Sequence, residues 1–196
     1  MIRRLGYACI NMTLGGPGVA KSQRVTTNRT CRLATARELG MDHIRSLVLA
    51  NARDLLRILQ WNESQGIRLF RLSSDMCPFI AHPEMGYDIS DLGDEVSEAL
   101  AACGRFALDH GHRISSHPGP FNVLASPSAN VVDNTIRELD AHAAVFDAIG
   151  LPRDHNAKIN IHVGGAYGDP DAALDRWCTN FARLSESARS RLTVEN

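Results

Sequence analysis

No stretch of this sequence approaches the roughly 18 consecutive apolar residues that a membrane-spanning helix needs, and no membrane contact is expected. The apolar run behind Arg3 and Arg4 is too brief for the core of a secretory signal. Cysteine is sparse and unpatterned: the five residues Cys9, Cys31, Cys77, Cys103 and Cys178 are odd in number, widely spaced and form no C-x-x-C pair. That argues against a disulfide scaffold or a zinc knuckle and sets the expectation of a reducing, cytoplasmic compartment. The glycine fingerprint of dinucleotide-binding sheets is missing, because the turn after the first apolar run reads Cys9-Ile10-Asn11-Met12. A phosphate loop is nearly spelled by Gly15-Gly16-Pro17-Gly18-Val19-Ala20-Lys21-Ser22. Alanine replaces the glycine before the lysine, however, and Val25-Thr26-Thr27-Asn28-Arg29 is a poor helix start. Disorder is excluded by a composition that is 44% hydrophobic and 22% charged, with enough apolar material for a sizeable core.

The charge that is present is unevenly spread. Net charge is −1, yet residues 1–60 hold ten Lys and Arg against three Asp and Glu, while residues 61–196 hold eleven against nineteen. A basic first third can attract a polyanion, and an acidic remainder can hold metal ions. The plainer alternative is that the arginines solvate a long loop and a helix face. Lys21, Arg24, Arg29 and Arg32 are the loop cations available to a phosphate backbone.

Short apolar runs alternate with segments of helical period. Strands are predicted at 5–9, 67–72, 113–116, 158–163 and 192–194. A loop rich in glycine and threonine runs to about Gly40. Asp42 then caps a helix whose residues Ile44, Leu47, Val48, Leu55, Ile58 and Leu59 share one face, up to Gly66. Further helices are predicted near 91–110, from a Ser128 cap to Gly150, and from Asp169-Pro170 onward with Leu174, Trp177, Phe181 and Leu184 along one side. Strand–helix alternation means a parallel sheet with helical crossovers. Polar residues end several strands, as the active face of a barrel requires, so an α/β fold of the TIM (β/α)8 type is expected in preference to a doubly wound sheet. A closed barrel takes about 250 residues. The chain is therefore expected to be a single domain, 1–196, forming the N-terminal part of a barrel truncated after about five of its eight βα units.

Three of those strand ends carry metal-ligand residue types. His117 follows the third strand in Ser115-Ser116-His117-Pro118-Gly119, His162 lies in the fourth in Ile161-His162-Val163-Gly164-Gly165, and Glu195 closes the fifth. Neighbouring strands lie about 4.8 Å apart, so the three side chains can converge on one ion. Two imidazoles and a carboxylate suit Zn2+ or Mn2+, and a glutamate can bridge two ions for phosphodiester cleavage. Any one of these histidines alone reads more simply as a hydrogen-bonded core or loop residue. Three ligand types on three consecutive strand ends favour the metal. His82, in Phe79-Ile80-Ala81-His82-Pro83, can reach the same face. His43, His110, His112, His142 and His155 fall on helix ends and flanks and are expected to be solvated.

The motifs, taken in order, carry a resemblance. Leu5-Gly6-Tyr7 with Asn11, Thr26-Thr27-Asn28-Arg29-Thr30, and Arg71-Leu72-Ser73-Ser74-Asp75 with Pro78-Phe79 come first. Ser116-His117-Pro118-Gly119, His162-Val163-Gly164-Gly165-Ala166-Tyr167-Gly168 and Val194-Glu195-Asn196 follow. Together they resemble the UV damage endonucleases from Ile2 to Asn196. That family consists of TIM barrels related to endonuclease IV, which nick DNA immediately 5′ to cyclobutane dimers and (6-4) photoproducts and so start excision repair.

The resemblance implies that His117, His162 and Glu195 are catalytic metal ligands, with His82 a further ligand. It implies divalent ions, commonly Mn2+ with Zn2+ or Mg2+ as alternatives, up to three of them in a complete protein. It implies UV-damaged double-stranded DNA as the partner of a monomeric enzyme, with Tyr7, Asn11, Asn28, Arg29, Pro120 and Phe121 at the DNA. Tyr7 and Asn11 match positions near the flipped-out lesion. Pro120-Phe121 stands where the family has Gln-Tyr or Gln-Phe, a pair that probes the duplex opposite the damage. Phe121 keeps a ring for stacking, whereas Pro120 has no amide to offer the orphaned bases. The family's remaining ligands and a modified lysine lie beyond Asn196. Two other readings stay open: a sugar isomerase or epimerase barrel, which also gathers His and Glu at strand ends, and an inactive fragment with residual DNA binding.

Overall fold

The computed structural model describes residues 5–195; the opening arginines Arg3 and Arg4, and Asn196 of the last motif, lie outside them. Five strands, β1 (Gly6–Ala8), β2 (Leu69–Leu72), β3 (Arg113–Ser116), β4 (Ala157–His162) and β5 (Leu192–Glu195), form one sheet in sequence order, with each neighbouring pair parallel. Helices fill the crossovers: α1 (Met12–Gly15) and α2 (Leu33–Ser64), α3 (Asp94–Asp109), α4 (Ala129–Ile149), then α5 (Pro170–Phe181) with α6 (Glu186–Arg191). Strand order without a reversal is that of a barrel, not of a doubly wound sheet with its switch point. The described residues make an open five-stranded arc of such a barrel.

One face of the arc is apolar and lies under the helices. Phe70, Ile114, Ala157, Ile159 and Ile161 are buried in one cluster with Ile44, Val48, Leu55, Leu100, Leu139 and Phe146. Each fully buried large apolar side chain contributes about 1.5–3 kcal/mol, so this layer fixes the strands in place. The opposite, concave face is polar. Arg71, Ser115 and Lys158 form one row across it, and His162 stands beside Glu195 in another.

Several expectations are corrected. The segment up to Gly40 is not all loop: Asn11 caps α1 by accepting from the N–H groups of Thr13 and Leu14, and α2 already begins at Leu33. Gly40, at φ +69°, bends α2 in a conformation that a Cβ would make costly. Asp42 lies just past the bend and pairs with Arg45 at 2.6 Å instead of capping. His112 and His142 are buried, at 4% and 8% exposure, not solvated. His112 has Glu63 at 2.9 Å in compensation, whereas Glu138 lies 3.5 Å from His142 Nε2 without a hydrogen bond between them.

Candidate metal centre

The β4–β5 register sets His162 directly against Glu195, and β3 ends one residue short of His117. Alternation along β4 puts Asn160 and His162 on the same concave face. The outcome is a cluster in which His117, His162 and Glu195 offer ligand atoms all within 4.8 Å of one another. His117 Nε2 lies 2.8 Å and His162 Nε2 3.7 Å from Glu195 Oε1. The two imidazoles meet edge-on with ring centres 5.1 Å apart.

The tautomer of His117 follows from its other neighbour. Its Nδ1 lies 3.0 Å from the Pro118 carbonyl oxygen, which can only accept, so Nδ1 carries the proton. Nε2 then either donates to Glu195 Oε1 from the doubly protonated ring or, with that proton gone, turns a lone pair toward the same oxygen, an arrangement that a shared cation makes favourable. A histidine that donates its second nitrogen to a backbone carbonyl is the usual support of a metal ligand. Two imidazole nitrogens and one carboxylate form a donor set that fits Zn2+ or Mn2+. The neighbouring His117 ring first, and the Asn160 amide second, hold the Glu195 carboxyl below the usual carboxylate range.

Asn160 is the site residue that sequence reasoning missed. Its Nδ2 donates to Glu195 Oε2, and its Oδ1 accepts from Thr193 Oγ1 at 3.0 Å. The Asn-x-His spacing of Asn160 and His162 is the signal that could have found it. His82, expected as a further ligand, is not brought to the cluster. Its Nδ1 accepts from the N–H groups of Glu84 and Met85, each at 3.2 Å, which leaves the proton of the neutral ring on Nε2.

Residues 3–196 match the UV-endonuclease UvdE family. This chain is a member of it. The UV-damage endonuclease of Neurospora crassa is 40% identical over 223 residues, covering 98% of this chain and 33% of that protein. That of Schizosaccharomyces pombe is 36% identical over 98% of this chain and 31% of its own length. A crystal structure of SacUVDE superimposes with a TM-score of 0.84 at 32% identity, covering 98% of this chain and 60% of that one. The chain thus spans about a third of the two fungal proteins and three fifths of the SacUVDE chain. The superposition supports the barrel expected from the strand pattern.

The other residues expected at the DNA divide into two groups in this UvdE chain. Phe121, 87% exposed, and Pro120 are open to solvent on the loop after β3. Tyr7, Asn11, Asn28 and Arg29 are half-buried or buried and engaged by neighbours within the chain. Asn11 is buried and donates to the Tyr7 hydroxyl at 2.8 Å, which in turn donates to Asn62 Oδ1 at 2.6 Å. Asn28 accepts from the Thr26 hydroxyl. The Arg29 guanidinium is drawn to Asp54 at 2.5 Å and to the carbonyls of Thr26 and Arg24, so this arginine closes its own loop.

Several cations of the basic first third are paired: Arg29 and Arg57 share Asp54 and Arg45 meets Asp42 within that third, and two others meet acids of the later chain. Arg37 pairs with Glu84 and Arg53 with Glu95. Arg24 donates to the Val19 carbonyl. Lys21 and Arg32 remain exposed, with no ion pair among the described residues.

Proposed function

We propose that the whole protein is a metal-dependent endonuclease that nicks duplex DNA immediately 5′ to UV photoproducts, cyclobutane dimers and (6-4) products alike, to begin excision repair. The observation that carries this reading is the convergence of His117, His162 and Glu195 at the ends of three neighbouring strands, with His117 Nδ1 engaged by the Pro118 carbonyl so that Nε2 is the ring atom facing the cluster. A bound divalent ion, Mn2+ before Zn2+ or Mg2+, would acidify water and clamp the scissile phosphate, leaving a 3′-hydroxyl and a 5′-phosphate.

The chain's own residues supply the rest. His117 and His162 offer nitrogen donors, and Glu195, with its carboxyl held below the usual range, stays ionised at neutral pH. Asn160 fixes the direction of that carboxylate. Phe121, four residues after His117, offers a bare ring on which a base can stack. A photodimer pairs weakly and costs less to unstack than normal bases, which favours damaged sites. Lys21 and Arg32 give the phosphate backbone exposed cations without sequence preference.

The test is incision of UV-irradiated against untreated duplex by the whole protein with Mn2+, repeated with a chelator. A damage-dependent nick that the chelator abolishes is the expected result, and equal cutting of both duplexes, or of neither, overturns the reading. His162→Ala and Glu195→Ala should each abolish incision while leaving salt-sensitive DNA binding in place.

A further inference from the structure

Two loops rise from neighbouring strands beside the metal centre, 117–128 after β3 and 163–169 after β4. Each carries an exposed ring, Phe121 at 87% and Tyr167 at 49% exposure. Tyr167 sits at φ +52°, in the left-handed region that a bulky side chain enters only where its surroundings hold it. Those surroundings are well defined. Gly164, at φ +96°, comes so close to the other loop that a Cβ there would lie 2.6 Å from Val123 Cγ1. Arg176 of α5 reaches both loops: its Nε donates to the Ala125 carbonyl at 2.9 Å, and its guanidinium carbon lies 5.7 Å from the centre of the Tyr167 ring. Asn180, one turn further along α5, donates to the Leu124 carbonyl at 2.8 Å. The Val123 N–H is held by Thr135 Oγ1 at 3.0 Å. Both rings are thus mounted on one assembly with Arg176 as the shared brace.

Packing alone does not account for Tyr167. Half of it is exposed, and among the described residues Arg176 is the one side chain engaged with its ring. The arginine lies over the ring while half of the residue stays open to solvent, which leaves area for a second flat group. We propose that Tyr167 is a second base-stacking residue that sets the preference for damaged duplex, and that Arg176 is a positioning residue holding it in line with Phe121. A duplex opened at a lesion presents unpaired base faces, and two rings on adjoining loops offer two platforms for them. This inference rests on the endonuclease reading.

The experiment is a metal-free titration of the chain, in EDTA, into a labelled duplex with one thymine dimer and into its undamaged counterpart. A 2-aminopurine opposite the dimer reports unstacking by its fluorescence. Tyr167→Asn removes the ring while keeping a side chain that tolerates the left-handed backbone. It is expected to weaken binding of the damaged duplex by about tenfold, to leave the undamaged duplex unchanged and to dim the 2-aminopurine signal. Tyr167→Phe should restore all three readings. Arg176→Gln should lower the preference for damage and change the 2-aminopurine signal, with the far-UV spectrum and urea midpoint read alongside. If the parent chain prefers the damaged duplex and Tyr167→Asn prefers it equally, this inference falls and the endonuclease reading stands. A parent chain that binds both duplexes equally also overturns this inference, while the endonuclease reading is decided separately by the incision assay on the whole protein.

Discussion

Asn160 donates its side-chain amide to Glu195 Oε2, while Oε1 of the same carboxylate faces His117 and His162. The two oxygens therefore have separate partners, and Thr193 Oγ1, donating to Asn160 Oδ1, fixes which way the amide points. Losing such an outer support typically costs about 10–100-fold in metal affinity. Asn160→Ala is expected to weaken Mn2+ binding to the chain by about that factor, measured by titration calorimetry. An unchanged affinity would mean that β5 alone orients the carboxylate.

The Thr26-Thr27-Asn28-Arg29 loop hangs on two residues of α2. Asn51, fully buried, accepts from the Arg29 N–H at 3.0 Å and donates toward the carbonyls of Arg29, Asp75 and Met76. Asn51→Ala strands those groups, each at a cost of about 1–3 kcal/mol if left unpaired. A loss of about 3 kcal/mol in urea denaturation is expected, with faster tryptic cleavage after Arg29 or Arg32. Unaltered stability would show that Asp54 alone holds the loop.

What could be read from the sequence was whatever depends on local period and on parallel pairing. β3 falls on its predicted residues, and β4 is displaced by one, because alternating Ile159 and Ile161 marks a half-buried strand. His117, His162 and Glu195 stood out because parallel strands bring consecutive strand ends side by side. Partners distant in sequence could not be read in the same way. Arg29 looks like a solvent-facing loop cation until Asp54, 25 residues on, is folded against it. His112 is buried because Glu63, 49 residues earlier, lies at its Nε2. α1 and α6, of four and six residues, are too short to carry a helical period.

Arg191 is wholly buried immediately ahead of β5. It pairs with Asp147 at 2.7 Å, donates to the carbonyls of Pro152 and Leu151 at 2.7 and 2.8 Å, and lies over the Phe146 ring. The Asp147 side chain is 38% exposed, so removing Arg191 chiefly strands the carbonyls of Pro152 and Leu151, at about 1–3 kcal/mol each. Arg191→Ala should lower the unfolding free energy read from urea denaturation by about 2–6 kcal/mol. Arg191→Lys should recover only part of it, since an ammonium cannot reproduce the guanidinium's fork of five donors. Full recovery with lysine would show that charge, not geometry, is what the site requires.

Acid should loosen the corner where α2 meets β3, and two groups there set the course. Arg68 first, and then His112, donate to Glu63 and hold its carboxyl at about 2, against an ordinary 4.5. Its contribution is complete above the unfolded value and is lost as pH falls from about 4.5 toward 2. Burial, outweighing the nearby Glu63, pushes His112 below its ordinary 6.5. The unfolded chain therefore takes up that proton more readily than the folded one, and stability falls as pH drops below about 6.5. Both effects have the same sign. Urea midpoints should therefore decline in two stages, the first starting near pH 6.5 and the second below about 4.5. Glu63→Gln should flatten the lower stage, and a midpoint that still falls steeply there in the variant would place the acid sensitivity elsewhere in the fold.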